Sequence, residues 1–479
     1  MKRLQRYVGI ISSASVSPFI DFSCRFVRTV ILSHILSPVS LGAAIALSAI
    51  IGTCEVLADV GISQFVVVST GSDRAQAVAA AREIGIIRGT LLALFIVAFA
   101  PILADVFGAQ GHVESIRWLG VIPLLSGFRN WRTTQVQAEY RYLPEAITSC
   151  ASSFAALAVV IPAAAWFHDE RTILVSLVVE AGVRSIVSHM VLKPERVRAV
   201  DPKIRRAALT FGLPLMVNGI GLVILSQVDR MIVSNLFGLE TLASYSLAIG
   251  IAVVPISVIA SVMNRVLMAY ILRSKSNSTN AHAADFVTAW TPIAVGACYA
   301  LAIGAVLDFA IPAVYGSQYH VNPGVHALIT ILVFVRLCRM GVTVLLISTG
   351  RTRQMTAANL TAGAGLAIGL ILGILFQRLE DVVFGVVLGD IFSFISMLFF
   401  LQSRIQLKST LHHLSTLFLS ASLAAAGAYA QPGIVLETRT LIFVAGTLLV
   451  CIDVVMVYRR YLKKLLSWKE DVAGKASVP

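Results

Sequence analysis

The sequence predicts an all-α, polytopic membrane protein with about fourteen transmembrane helices. Three observations predict this class. Of the 479 residues, 57% are hydrophobic and 13% are charged, a balance that would leave a soluble globule with far too much exposed apolar surface. The apolar residues form long unbroken runs, not the alternating pattern of an outer-membrane barrel. Lys and Arg concentrate in the short segments between alternate runs, as in multi-pass helical proteins.

Clusters of Gly, Pro and charged residues divide the chain into these runs. A hydrocarbon core about 30 Å thick needs about 20 apolar residues in a helix. The predicted spans lie near residues 8–36, 41–69, 84–107, 113–137, 145–167, 172–192, 207–236, 241–272, 285–312, 322–349, 355–376, 382–402, 413–430 and 440–458.

The distribution of basic residues predicts the orientation. The loops on one side carry little beyond Arg171, Arg378 and Arg439, whereas the other side carries most of the Lys and Arg. The positive-inside rule therefore places both termini in the cytoplasm. The net charge of +13 indicates contact with anionic lipid headgroups and not with nucleic acid.

The most basic internal segment, 193–206, follows six spans. We therefore predict an N-terminal six-helix lobe over 1–192, a basic cytoplasmic linker over 193–206 and a C-terminal six-helix lobe over 207–402. Residues 403–479 hold two extra transmembrane helices and a basic cytoplasmic tail. Because six is even, both lobes enter the membrane the same way round, with a pseudo-twofold axis along the membrane normal.

An internal repeat supports the two lobes. Residues 27–48 align with residues 228–249 at an offset of 201, and both copies contain a charge, a short turn and a new apolar run. Such self-similarity indicates an internal duplication. The identical pairs are Val27 and Val228, Ile31 and Ile232, Ser33 and Ser234, and Leu41 and Leu242.

Charged residues inside the apolar runs are the first candidate functional residues, because a charge there costs about 2.5–3.5 kcal/mol. Asp21, Arg25 and Arg28 lie on one stripe of the first span, and Glu55 and Asp59 are one turn apart in the second. Two interpretations stay open. The arginines pair with Glu55 and Asp59 and hold two helices together, or they line a polar cavity and meet an anionic ligand.

Further charged residues occur in the sixth, seventh and tenth spans. Arg336 and Arg339 are one turn apart without an acidic neighbour in their own helix, which makes them candidates for binding an anion. Glu180 and Arg184 are four residues apart, so we expect them to neutralise each other.

Asp229 takes the place of Arg28 under the offset of 201. We hypothesise a salt bridge between them that closes the outer side. The alternative is local pairing of Asp229 with Arg230.

Counting residues along the predicted spans places four arginines close to the cytoplasmic boundary of the membrane. Snorkelling to lipid headgroups is the default role there, and the alternative is a site at which a lipid phosphate enters. They are Arg88, Arg129, Arg132 and Arg265.

Motifs for catalysis and cofactors are missing from the sequence. It contains no GxxxxGK[ST], GxSxG or HExxH motif, and its six cysteines form no CxxC pair. We therefore expect no enzyme activity, no catalytic residues, no cofactor and no metal site.

Two stretches resemble a known family. RFVRTVILSHILSPVSLGAAIALSAI with LADVGISQFVV, and later FGLPLMVNGIGLVILSQVDRMIVSNLFGLETLASYSLAI, resemble the polysaccharide transporter family of O-antigen and exopolysaccharide repeat-unit flippases. This family belongs to the multidrug/oligosaccharidyl-lipid/polysaccharide exporter superfamily, which also holds the lipid II flippase. The resemblance is sharpest at residues 58–61 and from Asp229 to Tyr245. Val39-Ser40 departs from the family pattern, which commonly has an acidic residue after Ser-Pro.

The resemblance implies a two-lobed bundle around a central cavity lined by spans one, two, seven and eight. It implies a flippase in the bacterial cytoplasmic (inner) membrane that moves an undecaprenyl-diphosphate-linked oligosaccharide to the outer leaflet by alternating access. It also implies membrane lipids, a polysaccharide polymerase and a chain-length regulator as partners, and coupling to protons or sodium.

Under this resemblance, the candidate residues receive roles. Arginine's planar donors suit phosphate oxygens, so Arg25, Arg28, Arg336 and Arg339 are the candidates for the diphosphate. The gate or coupling candidates are Asp21, Glu55, Asp59 and Asp229.

Two alternatives remain at this point. A drug/cation antiporter of the same superfamily would have a cavity dominated by unpaired carboxylates, whereas this chain has at least as many arginines. A membrane glycosyltransferase or polymerase would carry a sizeable outer loop, and the predicted outer loops are only a few residues long.

Overall fold

The computed structural model describes residues 2–69, 73–139, 141–194, 200–274 and 281–401. This part of the chain is helical, with two short 3-10 turns and without a strand. Its α-helices are α1 (Lys2–Ile35), α2 (Pro38–Leu57), α3 (Ile62–Val68), α4 (Asp73–Val106), α5 (Val113–Leu119), α6 (Val121–Gly127), α7 (Arg132–Gln135), α8 (Leu143–Phe167), α9 (Arg171–Val191), α10 (Pro202–Ser226), α11 (Val228–Ser274), α12 (Ala281–Tyr315), α13 (Pro323–Ser348), α14 (Thr352–Leu360), α15 (Ala362–Phe376) and α16 (Leu379–Leu401).

Within the described ranges, nine helical segments are long and apolar enough to cross a membrane. The protein is therefore a multi-pass membrane protein. The predicted spans at 413–430 and 440–458 and the basic tail lie outside the described residues. The nine segments are Pro38–Leu57, Asp73–Val106, Leu143–Phe167, Arg171–Val191, Val228–Val253, Val287–Tyr315, Pro323–Ser348, Thr352–Phe376 and Leu379–Leu401.

The chain divides into two compact units. The first comprises Met1–Gly250, Ile311–His320 and Leu370–Val382, and the second comprises Ile251–Ala310, Val321–Gly369 and Val383–Pro479. The predicted linker 193–206 falls inside the first unit. The division into two six-helix lobes stays a prediction.

The turn between α1 and α2 has a local cause. The Ser37 hydroxyl accepts a hydrogen bond from the amide of Ser40 at 3.2 Å, and Pro38 occupies the first helical position. The next turn packs closely, because a Cβ at Gly42 would overlap with the carbonyl oxygen of Leu239 in α11. Glycine is required at this backbone contact.

The predicted span 41–69 is broken in the structure. Helix α2 ends at Leu57, and the Asp59 carboxylate accepts a hydrogen bond from the amide of Gly61 at 3.0 Å. Gly61 has a left-handed backbone with φ of 60°. The hydrogen bond from the Gly61 amide to the Asp59 side chain closes a turn, and the left-handed backbone of Gly61 is incompatible with a continuing α-helix. These residues therefore form the corner between α2 and α3.

The predicted span 113–137 is also interrupted. Its helical path passes from α5 to α6 at Gly120 and ends at Gly127. Both glycines pack against α4, since a Cβ at Gly127 would lie 2.8 Å from the carbonyl oxygen of Gly85. Small residues allow this close approach, but hydropathy alone cannot show that they also end the helix.

The seventh predicted span contains a break, and the eighth begins as expected. Helix α10 ends at Ser226, so Asp229 lies in the first turn of α11 and not inside a continuous span. Helix α11 is then kinked at Gly238, where φ is 83°. The kink at Gly238 lies 201 residues after the turn at Ser37. The offset of 201 therefore relates the positions of these two turns as well as the two repeated sequences.

Candidate functional site

Charged residues of α1 and α9 form one network in the first unit, which we call the α1–α9 charge cluster. It comprises Asp21, Arg25 and Arg28 of α1 with Glu180 and Arg184 of α9. Glu180 accepts hydrogen bonds from Arg28 at 3.1 Å and from Arg25 at 3.2 Å. Asp21 lies 3.4 Å from Arg25 and 3.6 Å from Arg184. Intervals of three and four residues place each set on one helical face.

Serine hydroxyls extend the cluster onto the adjacent helix. Helix α8 packs against both α1 and α9, and its Ser153 hydroxyl donates to Asp21. On α9, the Ser176 hydroxyl accepts from Arg28 at 3.1 Å. Small hydroxyl side chains let the helices approach while they satisfy charged groups.

The residues of the charge cluster differ in how exposed their side chains are. Arg28 and Glu180 are buried, whereas 54% of the Arg25 side chain is exposed. Three guanidinium groups face two carboxylates, so the cluster holds one excess positive charge. Guanidinium donors match the oxygens of a phosphate. The arrangement can therefore hold an anion at Arg25 while Glu180 keeps Arg28 in place.

The partners of these arginines differ from the expected ones. Glu180 lies 3.7 Å from Arg184, but its shorter contacts are with Arg25 and Arg28. The expected ion pair of Glu180 and Arg184 is therefore formed, but within a network that also includes Arg25 and Arg28. Arg28 and Glu180 are 152 residues apart in sequence, and helical periodicity carries no signal for such a contact.

Glu55 and Asp59, the other carboxylates considered as partners, line a cavity of the first unit that shares Arg184 with the charge cluster. The cavity has a volume of about 510 Å³. Five charged residues line it, and small or polar residues form much of the remainder. The charged residues are Glu55, Asp59, Arg88, Arg129 and Arg184.

The arginines that line this cavity differ in how closely they contact a carboxylate. Arg129 donates to Glu145 at 2.6 Å and lies over the Trp131 ring. Arg88 lies 3.8 Å from Asp59, beyond ordinary hydrogen-bond distance. These two arginines belong to the predicted cytoplasmic group, and the structure brings both to one cavity.

The other two arginines of that group lie elsewhere or are not described. Arg132 donates to the carbonyl oxygen of Lys193 at 2.9 Å and is absent from the cavity lining. The side chain of Arg265 lies outside the described part of the chain. A role of the four in the entrance of a lipid phosphate stays a prediction.

Arg336 and Arg339 share a carboxylate that sequence reasoning missed. In the second unit, Asp390 of α16 pairs with Arg336 at 3.0 Å and also with Arg339. Arg339 donates to Asn359 at 3.0 Å as well, and Asp390 is buried. A lone aspartate in the apolar run 382–402 was the available signal.

Asp229 has a partner in its own helix. Its carboxylate accepts a hydrogen bond from the Tyr245 hydroxyl at 2.7 Å, and its place in the first turn of α11 is favourable for a negative charge. Arg28 binds Glu180 and Ser176 instead. The hypothesised bridge between Arg28 and Asp229 is therefore not formed in this conformation, and a gate or coupling role for Asp229 stays a prediction.

A titratable pair lies outside the membrane-spanning segments. His112 Nδ1 lies 2.8 Å from the Glu170 carboxylate, which also accepts from the Ser115 hydroxyl at 2.9 Å. The hydrogen bond to Glu170 raises the pKa of His112. The bonds from His112 and Ser115 lower the pKa of Glu170 to about 2, against the opposing effect of burial.

The sequence was then compared with protein families. The profile of the family described as "Polysaccharide biosynthesis protein" matches residues 31–324. The chain belongs to this polysaccharide biosynthesis protein family. The match contains the cavity and the α9 half of the charge cluster. No curated protein matches the sequence at a significant level.

Solved structures share the fold of this family member. "Lipid II flippase MurJ, inward closed conformation" aligns with a TM-score of 0.62 at 12% identity, over 94% of this chain and 99% of that chain. An inward-facing MATE family multidrug resistance transporter of the MOP superfamily gives 0.56 at 15% identity, over 79% and 93%. The eukaryotic MATE transporter AtDTX14 gives 0.56 at 14% identity, over 89% and 98%.

These likenesses confirm the predicted fold class. The family member has the all-helical, multi-pass fold of a flippase and of multidrug transporters. None of the three similar proteins carries the name of an enzyme.

Proposed function

We propose that the protein is a flippase for a polyprenyl-diphosphate-linked oligosaccharide repeat unit. It moves this lipid from the inner to the outer leaflet of the bacterial cytoplasmic membrane by alternating access, for O-antigen, capsule or exopolysaccharide synthesis. Membership of a polysaccharide biosynthesis family and the fold shared with a lipid flippase support the proposal. Both termini are cytoplasmic in this proposal, as the basic loops predict.

The observation that carries the proposal is the excess positive charge of the α1–α9 charge cluster. Charges inside hydrocarbon are expensive, and a buried ion pair is often no more stable than an apolar replacement. Stability alone therefore does not explain three arginines on two helices. A travelling diphosphate does, because its negative charges need guanidinium donors at membrane depth.

Within the cluster, the open side chain makes the first contact. Arg25 is half-exposed and contacts Asp21 and Glu180 at 3.4 and 3.2 Å. A phosphate that replaces one of these carboxylates gains a charge-assisted hydrogen bond. Arg28 is held by its hydrogen bonds to Glu180 and Ser176. In this proposal it keeps its position and contributes positive electrostatic potential to the site.

The second unit supplies two further arginines to the proposal. Arg336 and Arg339 converge on the single carboxylate of Asp390. In the proposed cycle, Asp390 holds both arginines until the diphosphate takes their donors. Protons or sodium at Asp21, Glu55, Asp59 or Asp229 would drive the change, and a polymerase would receive the product.

Leaflet transfer in proteoliposomes tests the proposal. A fluorescent polyprenyl-diphosphate oligosaccharide is reconstituted with the protein, and a membrane-impermeant quencher reports the fraction that reaches the exposed leaflet. We expect protein-dependent transfer by the wild type and none from empty vesicles. Transport of an organic cation without lipid transfer would establish the antiporter alternative. Extension of the sugar chain without transfer would establish the glycosyltransferase alternative.

A further inference from the structure

The cavity of the first unit has the size of a ligand site and its own set of polar groups. Its volume of about 510 Å³ lies within the range of about 300–1,000 Å³ that is usual for small-molecule sites. Exposed Ser63 and Gln64 stand at its mouth, and buried Trp131 and Gly127 form its inner wall. The cavity therefore combines access with a protected interior.

The mixture of charges restricts what the cavity can bind. Glu55 and Asp59 repel a diphosphate, while Arg88 and Arg184 repel an organic cation. A purely apolar ligand would leave Glu55 without a hydrogen bond and Arg88 with only its 3.8 Å contact to Asp59 among the described residues, which is costly inside a membrane protein. The ligand that suits the lining is polar, carries little net charge, and both donates and accepts hydrogen bonds.

Two groups in the wall have unused hydrogen-bonding capacity. Glu55 forms no ion pair or hydrogen bond with another described residue. The Trp131 side chain is only 7% exposed, and its indole N–H has no acceptor in the described part of the chain. Buried polar groups are normally satisfied, so the cavity lining offers a ligand one acceptor and one donor.

We propose that this cavity is a glycan subsite that holds sugar hydroxyls of the transported lipid, beside the α1–α9 charge cluster, with which it shares Arg184. A sugar hydroxyl donates to the Glu55 carboxylate, and sugar oxygens accept from the Trp131 indole and from Arg88. Gly52 and Gly219 add lining without a side chain. This inference rests on the proposed function and adds to it a site that recognises the sugar.

Three variants test the subsite. Glu55→Gln and Trp131→Phe each remove one hydrogen-bonding group, and Gly52→Leu fills the cavity, since a Cβ there meets only the flexible Gln227 side chain at 3.4 Å. Matched controls on exposed positions are Glu114→Gln, Trp166→Phe and Gly111→Leu. Each protein is assayed with two lipids, a polyprenyl-diphosphate tetrasaccharide and the same lipid with one sugar.

We expect Glu55→Gln to transfer the tetrasaccharide lipid about tenfold more slowly, the effect of one lost charge-assisted hydrogen bond, and Trp131→Phe about fivefold more slowly, the effect of one lost neutral hydrogen bond. Gly52→Leu should slow it because the leucine side chain competes with the sugar for space. Transfer of the one-sugar lipid should stay within twofold for Trp131→Phe and Gly52→Leu, which also shows that both variants are folded. Glu55→Gln, at a coupling candidate, should slow both lipids but the tetrasaccharide lipid more. Controls should match the wild type with both lipids. Equal loss with both lipids, or no loss with either, would overturn the glycan subsite.

A binding measurement separates this inference from the proposed function. The free tetrasaccharide is titrated into purified protein, and intrinsic tryptophan fluorescence is compared between the wild type and Trp131→Phe. If no lipid is transferred but the sugar binds and the Trp131→Phe signal is lost, the flippase proposal fails and the subsite stands. If lipid is transferred but cavity variants are indifferent to sugar length and to free sugar, the subsite fails alone.

Discussion

Arg28 of α1 donates to Glu180 of α9 at 3.1 Å, and both side chains are buried. This pair joins the first helix of the first unit to a helix 152 residues later. Its burial and its excess of arginine neighbours make it both a structural contact and the fixed edge of the candidate anion site.

Removal of the shared carboxylate should destabilise the first unit. In Glu180→Gln, buried Arg28 loses its ionic partner, and loss of one partner of a buried pair costs about 3–5 kcal/mol. We expect a clear fall of the thermal unfolding midpoint in detergent. Glu114→Gln, at an exposed site whose ion pair within the described residues is with Arg117, should leave the midpoint nearly unchanged. An unchanged midpoint for Glu180→Gln would contradict the role of this pair.

Arg25 should matter for transport more than for stability. Its side chain is 54% exposed, and exposed ion pairs are worth about 0.2–1 kcal/mol. Arg25→Ala should therefore unfold close to the wild type but transfer the diphosphate lipid at least about tenfold more slowly. Arg117→Ala is the control, since Arg117 is 50% exposed and pairs only locally. Normal transfer by Arg25→Ala would remove Arg25 from the proposed anion site.

Asp390 should be the stabilising carboxylate of the second unit. It is buried and pairs with Arg336 and Arg339, so Asp390→Asn removes the carboxylate that both guanidinium groups contact. We expect a loss of about 3 kcal/mol or more in unfolding free energy. Glu114→Gln, at a side chain that is 68% exposed, serves as the comparison. Equal stability of the two variants would show that Asp390 is dispensable.

Gly42 should tolerate no side chain. A Cβ there would overlap with the carbonyl oxygen of Leu239, and backbone cannot move aside as a flexible side chain can. Gly42→Ala should lower the unfolding midpoint or force α2 and α11 apart, which raises the labelling rate of a cysteine placed at Ser40. Gly111→Ala has open space around it and should change neither measurement.

The pair of His112 and Glu170 should make stability depend on pH at both ends of the range. The raised pKa of His112 means that its contribution is full below the ordinary value of 6.5 and is lost as pH rises through the raised pKa. The pKa of Glu170 is lowered to about 2, so its contribution is present above the ordinary value of 4.5 and is lost as pH falls towards 2.

The unfolding midpoint measured from pH 3 to pH 9 checks this dependence. Glu170→Gln should flatten the profile at both ends, because neither pKa is then shifted by the other group. The Ser115 hydroxyl, which also bonds Glu170, does not titrate in this range. A wild-type profile that Glu170→Gln leaves unchanged would contradict the prediction.

Residue type and spacing were sufficient for the fold class and for some of the site. Asp21, Arg25 and Arg28 share a stripe because helical spacing is a local property, and the chain reversal at Gly238 follows from a short Gly-containing turn between apolar runs. The breaks at Gly61 and Gln227 were not foreseen, since hydropathy measures transfer to lipid and not backbone conformation.

The sequence by itself determined a multi-pass helical protein with arginines and carboxylates inside its apolar runs, because hydropathy and helical periodicity depend only on neighbouring residues. The tertiary structure alone decided the partners: Glu180 for Arg28, Asp390 for Arg339 and Tyr245 for Asp229. Partner choice depends on which helices pack together and at what rotation. Contacts between segments that are distant in sequence, such as Gly42 against Leu239, determine which helices pack together and how each is rotated.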